Sequence, residues 1–234
     1  MGSFKVLVVL GAILIAAILL PQWWVRWVLA RHSDERADLP GTGGELARHL
    51  LGRFDLEHVS VEETAPNQDH YSPADNAVRL SPKVFNGRSL TAVATAAHEV
   101  GHAIQFNGAE PVSRLRTRYL GTATALQRVG AGLLIAMPLL FAIFRVPHAM
   151  LLTGVVGVVT MLISVLMYVA ILPEEFDASF NKALPILDQG NYVAAEELPA
   201  VRSILRACAL TYVAAALASI LNLGRWVLLL RGMR

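Results

Sequence analysis

Residues 150–172 run for 23 positions without a charged side chain. A helix of that length and character matches the roughly 30 Å hydrocarbon core of a bilayer. Three more stretches share the pattern. Residues 4–20 are apolar and end at Pro21-Gln22-Trp23-Trp24. Residues 120–144 carry Gln127 and Arg128 in their first turns, which leaves 129–144 free of charge, and residues 207–230 are broken only by Asn222 and Arg225. These segments explain why the chain is 55% hydrophobic and 16% charged, outside soluble usage. The expectation is a mainly α, multi-pass membrane protein with about four transmembrane helices. The first segment could be a secretory signal, but no small-x-small cleavage site follows it. Gln22-Trp23-Trp24-Val25-Arg26 reads instead as an interfacial anchor of an uncleaved span.

The longest polar stretch, residues 21–119, contains His98-Glu99-Val100-Gly101-His102. This H-E-x-x-H pattern would arise by chance in roughly 1% of chains with this many His and Glu, so its surroundings must decide its meaning. Ser89 is placed to cap a helix running over residues 90–105, after the turn at Asn86-Gly87. Alanines and valines fill that helix on nearly every side, so it should be buried. Residues i and i+4 then share one face, and His98 and His102 can offer two imidazoles to one ion. Glu99, turned by about 100°, can act on a water bound there. Buried histidines and a buried glutamate need partners, and a single catalytic Zn²⁺ supplies them.

A zinc site of this kind needs a third protein ligand. The pattern that would place a third His six residues on is absent, because Gln105 and Gly108 stand at the two positions concerned. His32, His49, His58, His70 and His148 are isolated. Glu174, Glu175 and Asp177 follow the third apolar segment and stand on the same side as the H-E-x-x-H helix, although acids at a helix start after Pro173 also suit the helix dipole. The single cysteine, Cys208, excludes an internal disulfide and a cysteine-paired zinc site; it reads as a packing residue.

Local signals fill in the polar region. Thr42-Gly43-Gly44-Glu45 fits a capping box before a short helix over 45–51 that ends at Gly52. Val59 and Val61 suggest a strand, and 69–71 and 77–80 suggest two more around the turn 72–76. The free edge of such a sheet can hold an extended peptide. A second helical stretch over 194–206 should run into the last apolar segment. The chain thus divides into 1–24, a first transmembrane helix; 25–119, an extramembrane catalytic region; 120–172, a helical hairpin; 173–206, extramembrane helices with the third-ligand acid; and 207–234, a fourth transmembrane helix.

Arg26, Arg31, Arg36, Arg114, Arg116, Arg118, Lys182, Arg202 and Arg206 lie on the side of the H-E-x-x-H helix, against Lys5, Arg145, Arg231 and Arg234 opposite. The positive-inside rule places the catalytic region in the cytoplasm. With a net charge of +2 and basic residues that track membrane edges, no nucleic-acid partner is expected.

Several segments resemble the YugP-type neutral zinc metallopeptidases, which are bacterial multi-pass membrane proteins. They are 69–73, 78–82, 86–89, 96–105, 172–179 and 210–217, in order along nearly the whole chain. The resemblance implies a gluzincin-like protease of the cell (inner) membrane, with a small α+β zincin-like catalytic region. Glu175-Phe176-Asp177-Ala178-Ser179 is also similar to the E-x-x-x-D stretch of HtpX-type membrane proteases, whose glutamate is the third zinc ligand, and this carries over to Glu175. Ser179 replaces the final aspartate, and Asp177 becomes the candidate to support a ligating histidine.

The expected function is hydrolysis of peptide bonds, with Zn²⁺ on His98, His102 and Glu175 and with Glu99 as general base. His70 and Tyr71 are candidate donors to the oxyanion. The substrate would be a polypeptide, a membrane or membrane-associated protein, and the bilayer is the other partner. Two rivals come from other classes. A scaffold or assembly factor with a structural metal site leaves Glu99 without a purpose, and a transporter lacks intramembrane acids.

Overall fold

The computed structural model describes residues 2–220. The last part of the fourth apolar segment, with Asn222, Arg225, Arg231 and Arg234, lies outside the described residues. The chain is a mainly α-helical membrane protein with one small sheet. Among the described residues, four helices are long and apolar enough to cross a bilayer. The chain separates into two compact units.

The first unit takes residues 2–23, 117–171 and 211–220. It holds parts of four helices: α1 (Gly2–Arg31), α5 (Arg114–Phe144), α6 (Pro147–Phe176) and α8 (Leu198–Ile220). Leucines 151, 152 and 166 are about two-thirds exposed. Such a surface suits lipid rather than water. Gly130 and Gly157 let α5 and α6 touch, since a Cβ on Gly130 would stand 2.8 Å from the Gly157 carbonyl oxygen. Small residues serve this purpose where burial from water cannot drive helix association. Gln127, a polar interruption in the second segment, is absorbed by its neighbours. Its amide donates to Ser219 Oγ (2.8 Å) and accepts from Tyr168 Oη (3.1 Å).

The second unit takes residues 24–116 and 172–210. At its centre is α4 (Leu90–Asn107), with 15 of 18 residues buried. Ser89 caps it, its hydroxyl accepting from the Ala92 N–H at 3.1 Å. Around it lie α2 (Gly43–Arg53), the short α3 (Pro82–Phe85), a π-helical turn (Asp177–Ala183) and α7 (Leu184–Gln189). The expected capping box opens α2: Glu45 N–H donates to Thr42 Oγ1, and Thr42 N–H donates to Glu45 Oε2. Gly43 is required there, because a side chain would run into the Val84 carbonyl. The three strands are β1 (Ser60–Glu63), β2 (His70–Ser72) and β3 (Ala77–Leu80), in the order β1-β3-β2. β1 runs parallel to β3, while β2 runs antiparallel to β3 and forms an edge.

Helix boundaries differ from the sequence-based expectation at several points: α2 runs through Gly52 to Arg53 instead of ending there, α8 starts at Leu198 rather than 194, and two prolines do not act as boundaries. Pro21 does not end α1, which continues to Arg31, where Val25 and Val28 are buried. Pro173 does not start a helix, because α6 passes through it and leads into the π-turn. An interior proline removes one backbone donor, and neighbouring packing or local π geometry can absorb that loss. The pattern of proline followed by acids, which also marks a helix start, here sits inside a longer helix.

Candidate metal centre

Helix α4 carries two of the three residues that could hold a metal ion. His98 and His102 are each 3% exposed, with ring centroids 4.7 Å apart. Glu175, 1% exposed, comes from the last turn of α6. Its Oε2 stands 3.3 Å from His98 Nε2 and 3.3 Å from His102 Nε2. The three ligand atoms lie within 4.8 Å of one another. Close backbone packing allows this: a Cβ on Gly101 would sit 2.8 Å from the Ala178 carbonyl oxygen, so α4 and the π-turn meet there without a side chain between them.

The far side of each ring fixes what the near side can do. The Ser179 hydroxyl donates to the Leu205 carbonyl (3.0 Å), so it accepts from His98 Nδ1–H at 3.0 Å. The Gln105 amide nitrogen donates to the Glu174 carbonyl (3.0 Å) and to Asp177 Oδ2 (2.8 Å). Its oxygen therefore accepts from His102 Nδ1–H at 2.9 Å. With both Nδ1 atoms protonated, each Nε2 presents a lone pair. Three acceptors then converge, and Glu175 Oε1 is buried with no hydrogen-bond partner. A proton on one ring could satisfy one of these contacts, but a divalent cation satisfies all of them. The donor set of two imidazoles and one carboxylate, with an open fourth position, suits zinc. The electrostatics agree. Burial alone would push the His98 imidazole down, but the facing Glu175 and Glu99 carboxylates outweigh it and hold it above its ordinary value.

The remaining acids have different roles. Glu99, 6% exposed, follows His98 on α4, and its Oε2 accepts from the main-chain N–H of Tyr71 at 2.9 Å. Glu174 turns to the start of α5 and accepts the Arg116 N–H at 2.7 Å. Asp177 touches neither histidine. It accepts from Gln105 and, on its other oxygen, from Asn181 (2.7 Å). Asp69, beside β2, accepts from the Ser81 N–H and hydroxyl; burial raises its pKa against those bonds.

Tyr71 meets the site through its backbone, while its hydroxyl donates to Asn76 Oδ1 (2.9 Å). The His70 ring faces the Gln68 carbonyl at 2.7 Å. Of the isolated histidines, His49 contacts Tyr192 and His58 contacts Asn107. Gln105 and Ser179 were missed as site residues. A lone amide and a lone hydroxyl carry no spacing signal, although Ser179 stands four residues after Glu175, one helical turn along.

Comparison with known proteins places this geometry in context. A family described as "Putative neutral zinc metallopeptidase" matches residues 6–231. The chain is 34% identical over 209 residues to a Bacillus subtilis protein named "Putative membrane protease YugP", with 89% of each chain covered. No solved structure matches.

Proposed function

The chain belongs to the "Putative neutral zinc metallopeptidase" family, and from that membership we propose a membrane-bound zinc endopeptidase that holds its ion on His98, His102 and Glu175. One observation carries the reading: three buried acceptors converge with no donor among them, beside a fourth buried group, Glu99. A zinc ion bound there supplies a Lewis acid that polarises the scissile carbonyl and brings the pKa of a water toward about 7.

The chain's own residues do the rest. Glu99 is the general base. The Tyr71 N–H holds one of its oxygens and so fixes the carboxylate beside the histidine pair. It takes a proton from the attacking water as the carbon–oxygen bond forms, then delivers that proton to the leaving nitrogen as the carbon–nitrogen bond breaks. β2 is the edge strand next to this base. Strand alternation puts the Tyr71 carbonyl on the same outer edge as its N–H. That carbonyl is free of the β3 ladder and can accept from the backbone of an extended peptide. Four spans make the chain a membrane protein, and the basic residues on the side of the catalytic unit favour a cytoplasmic active site in a bacterial inner membrane.

The test uses the full-length chain in detergent. Glu99→Gln should retain one zinc per chain and lose cleavage of unfolded polypeptide by at least about 10²-fold. Parent-level cleavage by a zinc-loaded Glu99→Gln chain would remove Glu99 as base.

A further inference from the structure

The two imidazoles of the centre are aimed by different neighbours, and neither neighbour is charged. Building on the metallopeptidase reading above, we propose that Ser179 and Gln105 are the positioning residues of the metal centre. They hold His98 and His102 as Nδ1–H tautomers, so that both Nε2 lone pairs point at Glu175.

The argument is a count of protons. Ser179 has a single hydroxyl hydrogen, and the Leu205 main-chain carbonyl takes it. Toward His98 Nδ1 the serine can therefore only accept. A carboxylate could also accept there, but it would add a third negative charge to a pocket that already buries Glu99 and Glu175, and each uncompensated buried charge is costly. The hydroxyl sets the tautomer without that charge.

Gln105 works by the same logic with one more link. Its amide hydrogens go to two groups that can only accept, the Glu174 carbonyl and the Asp177 carboxylate. Rotating the amide by half a turn would point its oxygen at both acceptors. The amide is therefore locked with its oxygen toward His102 Nδ1. Asp177 is held in turn by Asn181. A chain of four residues thus runs from Asn181 through Asp177 and Gln105 to His102, and each bond has a fixed direction. Asp177 acts on the histidine at one remove, with its charge kept outside direct contact. Gln105 and Ser179 are both fully buried, so solvent cannot replace either acceptor. Without these acceptors each ring could carry its proton on Nε2, where it blocks a metal.

The experiment uses the full-length protein in detergent with zinc, and with cobalt as a spectroscopic substitute. Zinc affinity is measured by competition with a chelator, coordination by the visible cobalt spectrum, and folding by thermal unfolding of the metal-stripped chain. Ser179→Ala and Gln105→Met should each weaken zinc binding by about 10–100-fold and shift the cobalt bands, while the metal-stripped chain still unfolds cooperatively. Asp177→Ala sits at a partly exposed position and opens no core. It should cost several-fold in affinity, less than Gln105→Met, because the Glu174 carbonyl still holds the amide. Parent-like zinc affinity and cobalt spectra in Ser179→Ala and Asp177→Ala would overturn the assignment, even if Gln105→Met failed to fold. A parent chain that binds no zinc would overturn the metallopeptidase reading itself and this proposal with it.

Discussion

Gly101→Ala should damage the metal centre more than the fold. The added Cβ would lie 2.8 Å from the Ala178 carbonyl oxygen and 3.4 Å from both the Ala178 carbonyl carbon and Cα. Ordinary carbon–oxygen contact begins about 0.6 Å further out, and every atom involved is backbone, so no rotamer change relieves the clash. Overpacking of this kind costs about 1–3 kcal/mol. Alanine in a helix interior returns about 1 kcal/mol relative to glycine. The net destabilisation is therefore only about 0–2 kcal/mol. The displacement has larger consequences, because it falls between the two elements that bear the proposed ligands: α4 carries His98 and His102, and the segment meeting it carries Glu175 and Ser179. A shift of about half an ångström there should cost roughly tenfold in turnover and comparably in zinc affinity, given that about 1 Å can cost 10²-fold. The assay compares chelator competition, peptide hydrolysis and thermal unfolding for the full-length chain. Gly52→Ala in α2 is the control, since a Cβ there meets nothing within 4 Å. It should hold or raise stability and leave zinc unchanged. Parent-like zinc affinity and turnover in Gly101→Ala would refute the claim that the contact with Ala178 sets the site.

Two further predictions concern the ion. The facing carboxylates raise the His98 pKa, so protons compete for its Nε2 more strongly than for an ordinary imidazole, and zinc affinity should fall as pH drops, by up to about tenfold per unit; an affinity in competition titration that stays flat as the buffer is acidified would contradict it. Removing zinc should lower the unfolding temperature, because an ion at 100 times its Kd adds about 2.7 kcal/mol to the folded state. The same chelator added to Glu175→Ala should shift the melting curve far less, and an equal shift in both would argue that the ion sits elsewhere.

What could be read in advance follows the range of the physics. His98 and His102 are one turn apart on one helix, and a five-residue spacing states that relation completely. The cap at Ser89 and the capping box at Thr42 are equally local, and both appear as bonds. The strand around residue 60 was legible from its alternation and those around 70 and 78 from the turn between them, but the parallel pairing of β1 with β3 was not, because no local signal specifies which edge a strand joins. Glu175 lies 73 positions beyond His102. From the residues alone it was one of three acids, and only a family resemblance singled it out. Geometry separates the three by their partners: Glu174 takes a backbone N–H, Asp177 takes two amides, and Glu175 faces the imidazoles. Pro173 misled because proline followed by acids has the same composition at a helix start and at an internal irregularity. Packing decides between the two, and packing is not local.

The contacts of the site also constrain how the chain threads the bilayer, independently of charge counting. His98 and His102 lie in residues 24–116, and Glu175 and Ser179 lie in residues 172–210, yet they belong to one compact unit. Lys182 with Glu110 and Arg36 with Glu197 join the same two stretches by ion pairs. Both stretches must therefore lie on one side of the membrane, so residues 117–171 cross an even number of times. The hairpin of α5 and α6 is the shortest solution: two long helices separated by Arg145 and Val146, with Arg145 in the left-handed conformation at φ 51°. A single span at this point would place the histidines and the glutamate on opposite faces, and no centre could form. The third apolar segment is thus part of the site's logic as well as an anchor, because its return across the bilayer delivers Glu175 to the histidines.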